Sequence, residues 1–352
     1  MPDSFSLTLN PARIVFGRGT VAQLPAELAR LGGRRALVLS TPSQKNHADA
    51  IAARLGDAAA GVFAGAVMHT PVGVTAQALQ AFADVGADCV VAYGGGSTIG
   101  LGKAIAWRND VPQIVIATTY AGSEVTPILG ETENGLKTTR RDARILPETV
   151  IYDPDLTLRL PVAISVSSGL NAMAHAIEGL YAQDRNPITA LQAVEGVRAL
   201  RQALPRIVEV PHDPEARSLA LYGSWLCGTV LGTVGMALHH KLCHALGGSF
   251  DLPHAETHAV LLPHTAAYNA AAAADLLRPA ADLFGGSIGG GLYDFAATLG
   301  APRALRDLGL DQGDLDRAAD LAVQNPYWNP RPVERDAVRR LLGQAWEGTR
   351  PE

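Results

Sequence analysis

The sequence predicts an α/β domain built on a parallel sheet at residues 1–160, followed by an all-helical domain at residues 161–352. Three observations support this prediction. The first part alternates short apolar runs with amphipathic stretches, which is typical of a parallel sheet whose ligands bind beyond the carboxyl ends of its strands. After Pro161, Ala- and Leu-rich segments with helical periodicity continue almost to the end of the chain. The 352 residues also exceed the roughly 250–300 at which single cores usually divide.

Three buried strands and three helices are predicted within the first domain. The strands are the apolar runs at residues 36–39, 89–93 and 114–117, each followed by Gly, Ser, Thr or Pro. Helical patterns occupy residues 48–55 and 76–85, between the first two strands, and residues 101–107 after the second. This order of strands and helices is that of a Rossmann-like parallel α/β domain.

The second domain is predicted to consist of helices. The clearest helical patterns span residues 168–181 and 238–246. Prolines mark the helix starts and stops, at Pro161, Pro187, Pro205, Pro211, Pro253 and Pro263. The glycine-rich residues 285–291 are predicted to form a flexible connection between two helices, because no strand precedes them.

The composition argues against several classes of function. A net charge of −5 with interspersed acidic and basic residues offers no basic surface for nucleic acid or for an anionic membrane. Three cysteines without a CxxC pair indicate neither a disulfide framework nor a thiolate zinc site. The sequence has no apolar segment of membrane length and no signal-peptide pattern, so we expect a cytoplasmic protein.

A glycine-rich turn between the second predicted strand and its helix is the first candidate site. Glycines let a backbone approach a phosphate closely, and the amides at a helix N-terminus attract anions. A serine in the turn is expected to cap the helix. Hydroxyl groups follow the next strand, so they should lie at the same edge of the sheet. The pattern also fits a tight turn without a ligand, but its context favours a pyrophosphate site formed by Gly94, Gly95, Gly96, Ser97, Thr118, Thr119 and Ser123.

A set of histidines in the helical domain is the second candidate site. Asn171 and His175 stand four residues apart on one predicted helix, as do His240 and His244 on another, and His254 follows on a short loop. Any one of these histidines could be an ordinary core or surface residue. Two such pairs in one helical domain favour a shared site. With an Asp at position 171 the set would be a divalent-metal site, but the amide of Asn is a poor ligand.

Several strings in this sequence resemble the iron-containing alcohol dehydrogenases in order and spacing. They cover nearly the whole chain and occur at residues 94–97, 118–126, 171–178, 240–248 and 253–254. Three further strings look like the maleylacetate reductase branch of that superfamily, at residues 67–72, 130–142 and 329–333. The resemblance implies the dehydroquinate synthase-like fold, in which an α/β domain carries the nicotinamide cofactor and a helical domain carries the catalytic groups.

The resemblance also implies which residues bind the metal and the cofactor in relatives. The Asp and three His that hold iron or zinc in metal-dependent members correspond to Asn171, His175, His240 and His254, so the acidic ligand is missing. Metal-dependent relatives usually have an Asp where this chain has Gly100. We therefore expect no metal. Relatives that prefer NAD often have an acid after the first strand, where this chain has Thr41 and Pro42, so we expect both NADH and NADPH to be used. Lys137 is a further implied cofactor-binding residue.

The activity implied by the resemblance is reduction of the enone double bond of maleylacetate to give 3-oxoadipate, a step in bacterial breakdown of aromatic compounds. The substrate is a dicarboxylate, for which the expected binding residues are Asn171, Lys241, Arg140 and Arg331. His244 is the expected proton donor, because an imidazole titrates near neutrality. The remaining catalytic positions are His175, His240 and His254. A homodimer is expected by the same resemblance.

Three other functions stay open on the sequence. One is an alcohol or lactaldehyde dehydrogenase of the same superfamily that retains weak metal binding. Another is a non-redox cyclase of the dehydroquinate synthase-like fold, although the missing acidic ligand argues against it. The third is a nucleotide-sensing protein that binds the cofactor without turnover, which the histidine set disfavours.

Overall fold

The computed structural model describes residues 4–10, 12–133, 136–325 and 327–352, and the side chains of residues 136 and 137 lie outside that description. The chain divides into two compact units. One comprises Leu9–Leu160, and the other comprises Pro161–Glu352 together with the described residues 4–8. The two units divide between residues 160 and 161, and residues 4–8 group with the helical unit.

The α/β unit is built on a six-stranded parallel sheet. Its strand order is β1-β8-β5-β4-β2-β3. The three predicted strands are β2, β4 and β5, and sequence reasoning missed the other three. Of these, β1 and β3 are the edge strands, and β8 is a short internal run of four buried residues between β1 and β5. The strands are β1 (Arg13–Phe16), β2 (Ala36–Leu39), β3 (Ala59–Phe63), β4 (Cys89–Gly94), β5 (Gln113–Ala117) and β8 (Thr149–Tyr152).

Helices cover both faces of this sheet. Alternate residues of β2 point to opposite faces, so Val38 packs with Leu24 and Ile51 in one core, while Leu39 packs with Phe82 in another. Burial on both faces explains why the central strands are continuous apolar runs. The helices are α1 (Leu24–Arg30), α2 (Lys45–Leu55), α3 (Val72–Asp84) and α4 (Gly96–Asn109).

A two-stranded antiparallel hairpin in the same unit was not predicted. It pairs β6 (Ile128–Glu133) with β7 (Leu136–Arg141). The two strands read ILGETE and LKTTRR, so they lack the apolar alternation that marks a half-buried strand. Backbone pairing, and not an apolar face, defines this element.

The second unit is helical, as predicted, and its described residues form eight α-helices. Side chains of Asn186 and Asp213 cap two of them, each followed by a proline at the first helical position. The helices are α5 (Val162–Leu180), α6 (Pro187–Glu209), α7 (Pro214–Thr233), α8 (Leu238–Phe250), α9 (His254–Ala281), α10 (Ile288–Thr298), α11 (Leu315–Val323) and α12 (Arg335–Glu347).

Two predictions about local structure in this unit need correction. Only Gly285 and Gly286 form the turn that was predicted for residues 285–291, with φ of 81° and 94°. Gly289 and the next two glycines belong to α10, where a Cβ on Gly289 would lie 2.6 Å from that of Ala267. Gly289 therefore permits close packing of α10 against α9. His254 was predicted on a loop, but it is the first residue of α9.

A helix that crosses a membrane must be both long and of high mean hydropathy. No single helix in the described part of the chain meets both requirements. Pro214–Thr233 and Leu238–Phe250 meet them only when taken together, with a bend of 96° between the two.

Candidate active site

The glycine turn after β4 is shaped by close contacts that only glycine allows. Gly94 has φ of 152°, and a Cβ there would lie 2.6 Å from the Thr98 hydroxyl. A Cβ on Gly95 would lie 2.7 Å from the Thr119 side chain. A Cβ on Gly96 would meet nothing within 4 Å, so its surroundings are open. The turn therefore holds Thr119, on the next strand end, directly against the glycine backbone.

The predicted role of Ser97 as a helix cap is wrong. Helix α4 begins at Gly96, Gly95 occupies the N-cap position, and no side chain accepts a hydrogen bond there. Ser97 is therefore already inside the first turn. The first backbone amides of a helix have no partner within the helix, so an uncapped N-terminus in a glycine turn is suited to bind phosphate oxygens.

Sequence reasoning missed Gln44, which links the carboxyl ends of three strands. Thr41 precedes a short turn that starts at Pro42, and its hydroxyl lies 3.3 Å from the Gln44 amide oxygen. The Gln44 amide nitrogen donates to the Thr118 hydroxyl at 3.4 Å. Its oxygen is also 3.0 Å from the position of a Cβ on Gly94. Thr41, Thr118 and the glycine turn are thus brought together around one amide.

A buried lysine, also missed, holds the loop that contains Ser123. The Lys103 ammonium donates to the carbonyl oxygens of Ser123 (2.5 Å), Thr126 (2.8 Å) and Ile128 (3.0 Å). Burial lowers the pKa of Lys103 to about 7, and the nearby Glu124 carboxyl opposes that shift. Ser123 therefore contributes its carbonyl to the structure. The side chain of Lys137, the other predicted cofactor ligand in this region, lies outside the described residues.

Gly100 occupies the position where the resemblance predicts an Asp in metal-dependent relatives. A Cβ at Gly100 would collide with the Thr70 hydroxyl. Thr70 is buried and has φ of 45°, which is a strained conformation for a β-branched residue. Thr70 therefore fills the space that a side chain at position 100 would need.

Two of the predicted histidines lie in a hydrogen-bonded chain that ends on a carboxylate. Glu178 accepts the Nδ1 proton of His240 at 2.5 Å and the backbone amide proton of His239 at 2.8 Å. In its neutral form, a His240 ring that donates from Nδ1 has its lone pair on Nε2, and this atom lies 2.9 Å from Nδ1 of His175. His175 therefore donates from Nδ1, and both nitrogens of His240 are engaged inside the protein.

A second chain of buried groups runs beside the first and was missed. The Thr265 hydroxyl donates to the carbonyl of Leu261, so it accepts from Nδ1 of His239 at 2.9 Å. His239 Nε2 then accepts from Nδ1 of His258, also at 2.9 Å. Burial lowers the pKa of both imidazoles well below the usual value, so both rings are neutral at pH 7. His254 and His258 stand four apart, which is the sequence signal that could have revealed this residue.

The predicted histidines are connected through His258. Its ring centroid lies 4.5 Å from that of His254, 5.1 Å from that of His240 and 5.9 Å from that of His175. His244 packs against the other side of the set, 6.2 Å from His240, and is only partly buried. The structure thus brings the four predicted histidines into one cluster, centred on a ring that was not predicted.

Asn171 lies one turn before His175 on α5 and is buried, and its Oδ1 makes no hydrogen bond. A neutral amide there lacks the charge of the carboxylate that relatives use for a metal. Among the described residues, one group of three side chains could hold a metal ion, namely His239, Cys243 and His258. Their ligand atoms all lie within 4.8 Å of one another. Asn171 and the three histidines therefore do not fit the iron or zinc that an Asp and three His hold in metal-dependent relatives.

The three predicted substrate cations differ in their surroundings. Arg331 stacks on Tyr268 at 4.1 Å and lines a cavity of about 220 Å³ with Tyr327 and Asn329. The Lys241 ammonium lies 5.6 Å from the ring of Tyr327, whose hydroxyl is buried without a hydrogen bond. These two cations and a cavity therefore belong to one region of the helical unit.

Arg140 is engaged elsewhere, in the α/β unit. Its guanidinium stacks on Trp107 at 3.9 Å and lies 3.8 Å from the Glu131 carboxylate. A nearby carboxylate already compensates this charge. The structure therefore gives Arg140 a role in holding the hairpin, and its predicted contact with substrate has no support from this geometry.

Two family models match the chain over most of its length. "Iron-containing alcohol dehydrogenase" matches residues 11–154, and "Fe-containing alcohol dehydrogenase family, C-terminal" matches residues 165–346. The chain therefore belongs to the iron-containing alcohol dehydrogenase family and is an NAD(P)H-dependent oxidoreductase.

Similar proteins point to one branch of this family. The chain is 66% identical to the maleylacetate reductase of Rhizobium sp. (strain MTP-10005), over 99% of each chain. It is 55% identical to the maleylacetate reductase of Burkholderia cepacia, over 96% of this chain and 97% of that protein. The crystal structure of maleylacetate reductase from Agrobacterium tumefaciens matches with a TM-score of 0.96 and 65% identity, covering 99% of this chain and 100% of that one.

Proposed function

We propose that this chain reduces the carbon-carbon double bond of maleylacetate with NADH or NADPH, giving 3-oxoadipate in bacterial breakdown of aromatic compounds. The observation that carries the proposal is the 66% identity to a maleylacetate reductase along 99% of both chains. The buried histidine cluster agrees with it, because reduction of an enone needs hydrogen-bond donors and a proton source.

The α/β unit would bind the cofactor at the glycine turn and the three strand ends. Its uncapped helix N-terminus would hold the pyrophosphate, and Thr41, Gln44 and Thr118 offer neutral hydrogen-bonding groups nearby. Bound NAD(P)H supplies the hydride. No acid after β2 repels a 2′-phosphate, so we expect modest discrimination between the two cofactors.

The histidine chains define which groups of the helical unit can donate a proton. Hydride addition to the alkene carbon leaves an enolate, which must be stabilised at oxygen and protonated at carbon. His240 has both nitrogens engaged and acts as a positioning residue. His244 is partly exposed at the edge of the cluster, so it is the proposed proton donor. Lys241 and Arg331 would neutralise the substrate carboxylates.

We further propose that this reduction needs no metal at the position of Asn171. The support is chemical, because an amide contributes neither the charge nor the donor strength of the carboxylate that relatives use. Turnover should survive exhaustive chelation and should not rise when iron or zinc is added back. Activity that is lost on chelation and restored by either metal would contradict this part of the proposal.

The decisive assay follows NADH absorbance with maleylacetate generated enzymatically, beside a short aldehyde as control substrate. Rapid oxidation of NADH with maleylacetate alone supports the proposal. Turnover of the aldehyde alone would instead indicate an alcohol dehydrogenase, and cofactor binding without turnover of either would indicate a sensor. The same assay with NADPH tests the cofactor preference, for which a ratio beyond roughly a thousandfold would contradict modest discrimination.

We also propose that the protein is a homodimer, that it is located in the cytoplasm, and that its small-molecule partner is a dicarboxylate. We propose no nucleic acid or membrane partner. Light scattering after gel filtration measures the oligomeric state directly, and a monomer at micromolar concentration would contradict the first.

A further inference from the structure

Three buried side chains behind the catalytic histidines have the composition of a metal site. His239 and Cys243 stand four residues apart on α8, so they share one face, and His258 reaches them from α9. All three are at most 1% exposed. We propose that they bind one thiophilic metal ion of the Zn²⁺ class, through side chains other than Asn171 and the three histidines that correspond to the metal ligands of relatives.

The distances between the donor atoms suit such an ion. Zn²⁺ bonds of about 2.0–2.1 Å to nitrogen and about 2.3 Å to sulfur in a tetrahedron separate N from S by about 3.6 Å and N from N by about 3.3 Å. The Cys243 sulfur lies 3.6 Å from Nε2 of His239. Nε2 of His239 and Nδ1 of His258 are 2.9 Å apart. The separation between the two nitrogens would have to widen by about 0.4 Å. The ligand atoms of all three residues lie within 4.8 Å of one another.

The surrounding hydrogen bonds orient the donors before an ion arrives. The Thr265 hydroxyl accepts a hydrogen bond from Nδ1 of His239, so the lone pair of that ring lies on Nε2. Partners outside the ligand shell orient histidines in the same way in known metal sites. Both imidazoles are neutral because burial lowers their pKa, so no proton competes for the lone pair of His239. One residue, Thr265, thus fixes the first ligand in its binding tautomer.

His258 can supply the third ligand through a shift of its ring proton. In the metal-free protein Nδ1 donates to His239, and Nε2 is buried without a hydrogen bond. On metal binding the ring proton moves from Nδ1 to Nε2, and Nδ1 becomes a ligand. The only proton released to solvent is then the one on the Cys243 thiol, which leaves a thiolate on the metal.

The donor set selects the class of ion. Two imidazoles and a thiolate suit Zn²⁺ and disfavour Mg²⁺ and Ca²⁺, which require oxygen ligands. The thiolate reduces the net charge of the bound site from +2 to +1, which lowers the desolvation free energy of the buried ion.

The experiment measures metal binding and not turnover, so it is independent of the proposed reaction. Chelated protein is titrated with Zn²⁺, and with Co²⁺ as a spectroscopic probe, for the wild type, Cys243→Ala, His258→Gln and Cys227→Ala. Cys227 is the matched control, since it is equally buried but lies on α7 outside the cluster. We expect about one ion and about one released proton per chain for the wild type and the control.

In Cys243→Ala we expect affinity to fall by roughly a hundredfold or more, since even outer-sphere partners cost 10–100-fold. The cobalt-thiolate charge-transfer absorption should disappear in the same variant. His258→Gln should lose affinity while keeping that absorption with any residual cobalt. Wild-type protein that binds no Zn²⁺, or a Cys243→Ala variant that binds it as tightly as the control, would overturn the proposal. If Cys243→Ala fails to fold, proton release and the cobalt spectrum of the wild type decide the question.

Discussion

The carboxylate of Glu178 offers a sharp test of the histidine chain, through the substitution Glu178→Gln. Its two oxygens accept three hydrogen bonds, from the backbone amides of His239 (2.8 Å) and His240 (3.3 Å) and from the His240 ring (2.5 Å). A glutamine keeps the shape but presents an NH₂ group to the ring. His240 must then move its proton to Nε2, and His175 must in turn accept at Nδ1 and carry its own proton on Nε2.

The expected magnitudes follow from those contacts. A hydrogen bond to a charged group stabilises the fold by about 1 kcal/mol more than a neutral one, so weakening three of them in Glu178→Gln should lower the free energy of unfolding by about 3 kcal/mol. A carboxylate-to-amide change that reverses a catalytic tautomer in another enzyme lowers kcat by about 10⁴, and we expect a loss of at least about 10² here. The KM for NADH should be nearly unchanged.

The assays are NADH oxidation with maleylacetate, chemical unfolding, and ¹⁵N-¹H NMR of the histidine rings, which reports the proton on Nδ1 or Nε2. Glu195→Gln is the control, because Glu195 forms a partly exposed ion pair with Arg198. It should lose less than about 1 kcal/mol and keep its kcat. The reasoning fails if Glu178→Gln keeps wild-type kcat and the His240 proton stays on Nδ1.

Three further predictions follow from the site. His244→Ala should lower kcat by roughly 10²–10⁴ with little change in NADH affinity, and near wild-type kcat would mean that the proton comes from water or another histidine. Lys103→Met should lower the free energy of unfolding by about 3 kcal/mol or more, measured by urea unfolding, because three carbonyl oxygens lose their donor, and a neutral effect would contradict this account. Acid should destabilise the protein, because burial lowers the folded-state pKa of His264 from 6.5 to about 4. The stability that the neutral His264 ring contributes is complete above pH 6.5. It falls by about 3 kcal/mol as the pH drops towards 4, because the unfolded chain then binds a proton that the folded one does not. His264→Leu should flatten that pH dependence, and an unchanged slope would exclude His264 as a cause.

Local pattern was sufficient for the central strands and the glycine turn. The run 89–93 is apolar on both sheet faces, and the glycines that follow it meet Thr98 and Thr119 as the turn requires. The edge strands and the β6–β7 hairpin could not be predicted, because their residues have no apolar alternation and are held by backbone pairing. The prediction that Ser97 caps α4 was wrong because the helix already begins at Gly96, one residue before Ser97.

The sequence alone determined the fold class, the family resemblance, the missing acid at Asn171, and which histidines share a helix face. These properties depend on residue type and on spacings of a few residues. Only the tertiary structure decided which ring nitrogens meet. His175 and His240 are 65 residues apart in the chain, and His239 and His258 lie on different helices, so their contacts depend on how α5, α8 and α9 pack. The same packing places His258 at the centre of the cluster, although its position in the sequence did not single it out.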